Sequence, residues 1–303
     1  MKTIRLFLCL APCLLANRLA ASDTLSVDSD TLRVNADSLL QAYYDSVESS
    51  FTYEHGDITL ENGVATLRIP EGFKYLNATQ SEIVLKDLWG NPNGECLGMI
   101  FPKDMGPMTD ASWAFVVTYD EIGYVKDDDA DKIDYNDLLK EMQKETAEAN
   151  QEREKLGYER VELVGWAAQP FYDKERKILH WAKELKFGDS EANTLNYNVR
   201  VLGRKGVMVM NAVGAIDQLP EVNSNISKVL DIVNFGEGQK YSDFDPDIDE
   251  VAAWTLGGLV AGKVLAKAGF LAFILKNIKL IILGVVAAAG GIWKLMSGRG
   301  KEA

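Results

Sequence analysis

The stretch KILHWAKELKFGDSEANTLNYNVRVLGRKGVMVMNAV, residues 177–213, decides the fold. Apolar, β-branched and aromatic residues fill three runs, 177–187, 194–202 and 206–213, and glycine marks the breaks between them. Runs of that length bounded by turn residues read as strands. Gly203-Arg204-Lys205-Gly206 reads as a tight turn joining two of them, not as a phosphate loop. No segment between the runs is long enough for a crossover helix, so neighbouring strands run antiparallel.

The same grammar extends upstream. A further strand is predicted at 160–167. Asp57–Glu61 and Val64–Ile69 alternate apolar and polar residues around Asn62-Gly63, a pair that accepts positive φ at both positions and so suits a two-residue hairpin turn. Pro70 stops that hairpin. A short helix over 79–88 and strands at 96–101 and 113–119 follow. From Asp134 to Leu156 the pattern is helical, with Leu138, Leu139, Met142 and Ala149 as the apolar stripe, acids at the start and Gly157 at the close. A last helix is predicted over 218–233, and Val233–Phe235 adds to the core edge. There is no internal repeat. The expected fold class is α+β, a mostly antiparallel sheet with flanking helices.

The two ends have a different composition. Residues 1–21 (MKTIRLFLCLAPCLLANRLAA) have a basic start, an apolar run too short to span a bilayer, and small residues before Ser22, the layout of a signal peptide. An uncleaved anchor and a lipoprotein modified at Cys13 are weaker readings, the latter because Pro12 sits where a small residue is wanted. Cleavage near Ala21 removes Cys9 and Cys13 and leaves Cys96 alone, with no internal disulfide to form. Residues 22–50 read as a lead-in followed by a helix over 38–50, and 51–245 as an exported α+β domain.

At the far end, 278–296 (IKLIILGVVAAAGGIWKLM) has the length and the flanking lysines of a transmembrane helix, and 297–303 is a basic tail. Residues 251–275 are also apolar but carry Lys263 and Lys267 on one helical face. They read either as an interfacial helix with its lysines towards lipid headgroups or as the first arm of a membrane hairpin, in which Gly258 and Gly262 would let helices approach. The positive-inside rule then places the main domain outside the cytoplasmic membrane, periplasmic or otherwise extracytoplasmic.

Net charge over the chain is −13, with 45 acids against 32 bases, and all the acids but Glu302 fall between 22 and 251. So acidic a surface repels phosphate backbones and excludes nucleic acid as a partner. Membrane lipid, an unidentified protein and a small polar ligand are the partners that remain.

Several phrases carry a resemblance when taken together: VATLRIPEGF (64–73), LWGNP (88–92), Ser112–Trp113, GYVKDDDADKIDYND (123–137), GWAAQPFYD (165–173), HWAKE (180–184), LNYNVRVLGRKG (195–206) and YSDFDP (241–246). Over roughly residues 50–296 the chain resembles a bacterial family of uncharacterised membrane-anchored proteins, domain-of-unknown-function family two-one-six-seven. The resemblance implies an envelope protein with an exported domain and a C-terminal anchor, and it supplies no reaction, cofactor or catalytic residue. The order of elements, with its early PEGF phrase, is also reminiscent by analogy of the Mog1/PsbP-like fold.

Candidate chemistry is sparse. The acid run Asp127, Asp128, Asp129, Asp131 fails as an EF-hand loop, because the sixth and twelfth positions are Lys132 and Leu138. The set Asp243, Asp245, Asp247, Asp249 fails likewise, with Glu250 and Leu256 at those places. Asp131 and Asp134 read instead as N-cap residues for the helix that follows. His55 and His180 are too few for a two-histidine zinc site unless they converge from distant strands, Cys96 has no activating base nearby, and no hydrolase or nucleotide motif is present. The reading therefore assigns no catalytic residue, no cofactor and no metal ligand. Trp89, Trp113, Trp166 and Trp181 read as buried indoles with satisfied N–H groups.

One constellation stands out. A turn centred on Ser190 sets His180 opposite Arg200, Ala182 opposite Asn198 and Glu184 opposite Asn196. His180, Glu184, Asn196, Asn198 and Arg200 would then share one polar face able to take a small polar or anionic ligand, with Leu179, Trp181, Leu185, Leu195, Tyr197, Val199 and Val201 on the other. The preferred function is a membrane-anchored binding or interaction module. The alternatives are an envelope hydrolase or transferase working from the His180/Arg200 face, or a scaffold acting through its glycine-rich helices. Whether the chain is an enzyme is open, with binding favoured.

Overall fold

A computed structural model describes residues 29–263, apart from 61–62, 92–93 and 110–111. The expected signal peptide, the spanning segment 278–296, the basic tail and residues 264–275 lie outside the described residues.

In chain order, helix α1 (Ser29–Ser49) leads to β1 (Gly56–Thr59), β2 (Ala65–Ile69), β3 (Phe73–Asn77) and the short α2 (Ala78–Ile83), whose axis continues as a π-helical turn over Val84–Leu88. Strands β4 (Gly98–Pro102) and β5 (Phe115–Asp120) precede the long α3 (Tyr135–Lys155). Four strands follow: β6 (Val161–Asp173), β7 (Ile178–Phe187), β8 (Thr194–Leu202) and β9 (Val207–Ala215). Helix α4 (Leu219–Leu230), β10 (Val233–Phe235) and α5 (Leu256–Ala261) complete the described chain.

Seven strands pair in the order β3-β4-β5-β9-β8-β7-β6, and β1-β2-β10 make a smaller sheet. Every strand pair is antiparallel, which makes the fold α+β as expected. The small sheet and α4 cover one face of the large sheet, burying Leu67, Val222, Val229 and Ile232 against Phe115, Tyr197 and Met210. The opposite face has two separate covers. Helix α2 and the chain ahead of β1 cover β3, β4 and β5 around Met99 and Phe101. Helices α3 and α5 cover β6, β7 and the ends of β8 and β9 around Leu179, Trp181 and Val207.

Local chemistry explains most boundaries. Gly63 sits at φ +67 in the β1–β2 turn, where Asn62-Gly63 was expected. Asp134 caps α3 by accepting from the backbone N–H groups of Asn136 and Asp137, satisfying two of the donors that a helix start leaves open. Gly157, at φ +78, follows its end. Lys174, not a helix N–H, is the partner of Asp131.

Four expectations are corrected. The first helix begins at Ser29 instead of 38. Strand β3 was not foreseen, because FKYLN has too little alternation to separate it from the helix that follows directly. The strand expected at 160–167 runs on to Asp173 as the sheet edge, with three register shifts that break its period of two. Such bulges, and Pro170 within the strand, blunt an edge that would otherwise invite pairing with another chain.

The fourth correction concerns 251–275. Its first half is domain core, not membrane surface. Ala252, Leu256, Leu259 and Val260 are buried with Val125, Leu138 and Met142. Thr255 caps α5, and Gly262 at φ +73 ends it, so Gly262 is a helix stop and not a packing glycine. Lys263 pairs with Glu141 at 2.9 Å and also with Glu145, so it faces the acids of α3 rather than lipid headgroups.

Asn150 of α3 illustrates how that helix is held. It is 5% exposed, donates to Val161 O and accepts from Val161 N, both at 2.8 Å. Asn150→Leu strips a buried backbone N–H and C=O of their partners. The expected cost is about 2–3 kcal/mol in urea unfolding, with amide exchange rising first at Val161.

Candidate functional site

The register of β7 against β8 decides where the candidate residues go. Leu179 pairs with Arg200, His180 with Val199, Trp181 with Asn198, Ala182 with Tyr197, Lys183 with Asn196 and Glu184 with Leu195. This differs by one residue from a turn centred on Ser190, and a one-residue slip sends every side chain of one strand to the other face. The five-residue polar face is therefore corrected. Asn196, Asn198 and Arg200 stay together. His180 and Glu184 lie on the opposite face, so a hydrolase or transferase built on His180 with Arg200 has no shared surface to work on.

On the face covered by α2, α3 and α5, β8 contributes Asn196, Asn198 and Arg200, and β7 contributes Trp181 and Lys183. Across the other ladder Asn198 pairs with Asn211 and Arg200 with Val209. Asn198 is buried, while Asn196, Arg200, Asn211 and Lys183 keep partial access to solvent. These residues form a polar strip on the central strands, between the apolar cluster around Met99 and the one around Trp181.

The bonding within the strip is one-sided. Arg200 Nη1 donates to Val199 O at 3.0 Å and to Asn211 Oδ1 at 2.8 Å, and Nη2 reaches Asn198 Oδ1 at 3.5 Å. Asn198 Nδ2 donates to Asn196 Oδ1 at 2.8 Å and Asn196 O at 3.0 Å. The guanidinium carbon lies 5.1 Å from the centre of the Trp181 ring. Neutral oxygens and a ring thus hold Arg200 in place without neutralising it. Burial pushes its pKa down to about 10, and Asp120, which acts on it only at a distance, restores part of the shift. Burial also raises Asp120, against the pull of Arg200. Lys183 is pushed down to about 8, by burial first and by the Arg200 charge second. Two cations therefore share a partly desolvated strip that has no carboxylate in contact among the described residues.

On the other face, His180 Nδ1 lies 3.1 Å from Tyr197 Oη, and the two rings are parallel within 8°. Burial, then the Arg176 charge, lowers the pKa of His180. Glu184 accepts from Asn193 in the β7–β8 loop. His180 thus contacts Tyr197 of the core cluster on that face, and Glu184 ties down the β7–β8 loop.

Three of the phrases quoted above meet at a second polar cluster. Asp127 accepts from Lys177 Nζ at 2.7 Å, Tyr172 Oη at 2.8 Å and Tyr241 Oη at 3.1 Å. Tyr124 stacks on Phe244 at 3.9 Å between ring centres, with Tyr241 at 4.4 Å on its other contact. Lys177 takes φ +59, the sole non-glycine residue with positive φ among those described. These bonds join 123–129, the β6–β7 turn and 241–246.

Other acids of the two runs are engaged as well. Asp129 accepts from the N–H groups of Leu256 and Gly257, and Asp249 accepts from Arg204 at 2.7 Å and from Asp245 N. Among the described residues no three histidine, cysteine or carboxylate side chains gather as a metal site. Cys96 lines a cavity of about 430 Å³ with Ala78, Thr79, Glu82, Lys86, Gly94 and Glu95. Burial pushes its thiol pKa up, so it is held protonated and poorly nucleophilic at neutral pH.

The expectation for the tryptophans is met in full by none of the four: Trp89 and Trp166 are only half-buried, and Trp113 and Trp181 are buried without an acceptor among the described residues. Trp89 and Trp166 donate to Pro107 O and Tyr135 O, both at 3.2 Å, while the buried N–H groups of Trp113 and Trp181 have no acceptor. Sequence reasoning found Asn196, Asn198 and Arg200 but missed Lys183, Asn211 and Trp181. The only available signal was the correct register.

The family model described as Protein of unknown function (DUF2167) matches residues 52–290, and the chain belongs to that family. No curated protein matches the chain. Among solved structures, cyanobacterial PsbP (CyanoP) from Synechocystis sp. PCC 6803 is similar at 12% identity, covering 59% of this chain and 91% of that one with a TM-score of 0.34. A Mog1 E65A mutant is similar at 13% identity, covering 58% and 84% with a TM-score of 0.28.

Proposed function

We propose that this member of the DUF2167 family is a membrane-anchored envelope protein whose α+β domain works outside the cytoplasmic membrane as a binding module for a small polar ligand. The observation that carries the ligand role is the polar strip of β7, β8 and β9. Central strands of a covered sheet normally present apolar residues on both faces, and burying polar groups there is unfavourable. Here the buried Asn198 and the partly accessible Asn196, Asn211, Lys183 and Arg200 occupy that position. The signal-peptide layout of 1–21 and the nineteen-residue apolar stretch 278–296 support the anchor and the orientation.

Proteolysis of spheroplasts making the full-length protein tests the location. Added protease is expected to degrade the domain while the protein stays in the membrane fraction. A domain protected until the membrane is lysed, or a protein found in the cytosol, overturns the reading.

A further inference from the structure

We infer that the strip on β7, β8 and β9 is a receptor for an oxyanion, a carboxylate or phosphate group, held by Arg200 and Lys183. This rests on the strip being the binding site and names the chemistry it recognises.

A guanidinium has five N–H groups. Both hydrogens of Arg200 Nη1 are taken by Val199 O and Asn211 Oδ1, and one of Nη2 is weakly engaged by Asn198 Oδ1. The Nε–H makes no hydrogen bond among the described residues, and Nη2 beside it makes only that 3.5 Å one. Those two donors form one edge of the guanidinium and point in parallel, the arrangement that grips two oxygens of a carboxylate or phosphate at once. The occupied edge is fixed by neutral oxygens, so the free edge is oriented before any ligand arrives.

Lys183 adds a second positive charge, and its ammonium has neither an acceptor nor an ion-pair partner among the described residues. Trp181, 1% exposed, sits between them on the same face with an unpartnered indole N–H. A protein gains nothing in stability by keeping two uncompensated cations and an orphan donor on one face of its central strands. An arriving anion offsets the charge of Arg200 and that of Lys183, which already feel each other. Receptor sites are built this way, with the cost of desolvating charge met before binding. The acidic exterior of 22–251 sharpens selectivity, since extended polyanions are repelled while a small anion meets a local positive strip.

Thermal unfolding and calorimetry on the full chain in non-ionic detergent, with inorganic phosphate, succinate and neutral glucose as separate probes, test this. Phosphate or succinate is expected to bind and to raise the unfolding temperature, and whichever binds more tightly assigns the group. Arg200→Met is expected to weaken that binding about a hundredfold, and yet to raise the unfolding temperature of the empty protein by roughly 2–4 °C because an unpaired charge is removed. Lys183→Met is expected to weaken it about tenfold. A merely structural Arg200 would give the reverse, lower stability with unchanged binding, and that result overturns the proposal. If glucose binds and depends on Asn198 and Asn211 while neither anion does, the strip remains a binding site and the oxyanion assignment fails. If no probe binds and neither variant alters stability in the expected direction, both readings fail.

Discussion

A chain ending at Asp245 is expected to lose cooperative unfolding, whereas one ending at Lys263 keeps it. The difference is eighteen residues that look, from composition, like the start of the membrane region. In the folded protein they carry Ala252, Leu256, Leu259 and Val260, all buried against Val125, Leu138 and Met142. Burying one such branched side chain contributes about 1.5–3 kcal/mol, so the three large ones sum to roughly 4.5–9 kcal/mol as an upper range. A domain of this kind has a net stability of about 5–15 kcal/mol.

Losing the segment also uncovers the apolar side of α3, frees the Asp129 carboxylate from the N–H groups of Leu256 and Gly257, and breaks the bridge from Tyr124 to Val251. Far-UV circular dichroism against temperature on both fragments, each starting at Ser22, measures the effect. A shared, sharp transition at the same temperature would show that α5 is an appendage. A second check keeps the full length: Leu259→Asp places a charge among apolar neighbours and is expected to destabilise the domain severely.

Asp127→Ala is expected to cost about 2–3 kcal/mol. Its carboxylate accepts from Lys177, Tyr172 and Tyr241, so removal strands one ammonium and two phenol hydroxyls at the junction of three segments. Asp127→Asn keeps shape and part of the hydrogen bonding, so it should cost less.

The pH dependence follows from the shift in this group. Burial works against its charge, but the hydrogen bonds from Lys177, Tyr172 and Tyr241 and the Lys177 charge outweigh it and leave its pKa below the ordinary aspartate value. In the unfolded chain that pKa is close to 4. The folded state thus binds fewer protons in the window between the two values. The contribution is complete above the unfolded pKa and is lost as pH falls through the folded one, below about 4. Urea unfolding at pH 7 and pH 3 should therefore show a smaller gap between Asp127→Asn and the parent protein at the lower pH. A gap that is constant with pH would mean that folding leaves the pKa of this carboxyl unshifted, and a gap that widens at pH 3 would mean that folding raises it.

How much of this was legible depends on which physical rule governs each element. The hairpin at Asn62-Gly63, the Gly203–Gly206 turn, the Asp134 cap and Gly157 after α3 follow from local backbone chemistry, and local chemistry is written in the sequence. Strand β8 shows clean alternation, so its polar residues were assigned to one face correctly. Strand β7 does not: Ile178, Leu179, Trp181, Ala182 and Leu185 put apolar groups on both faces, because both faces are covered. Its register was left to the loop, and eight residues lie between the last β7–β8 pair, Leu185 with Thr194. The centre of that loop falls between Asp189 and Ser190, not on Ser190, and half a residue at the turn is a whole face at the sheet. That detail exchanged His180 and Glu184 for Lys183 and Trp181 in the candidate site.

The sequence by itself determined the α+β class, the turns, the caps, the acidic character of 22–251 and the three residues Asn196, Asn198 and Arg200. Tertiary structure alone decided which neighbours those residues have, where the edge strand β6 ends, and that the first apolar residues after 251 pack on α3. The physical reason is the same in all three cases. A turn or a cap is settled within four or five residues by φ preference and hydrogen bonding, whereas face, register and partner are settled by which surfaces cover which. An apolar residue is equally content in a domain core and in lipid.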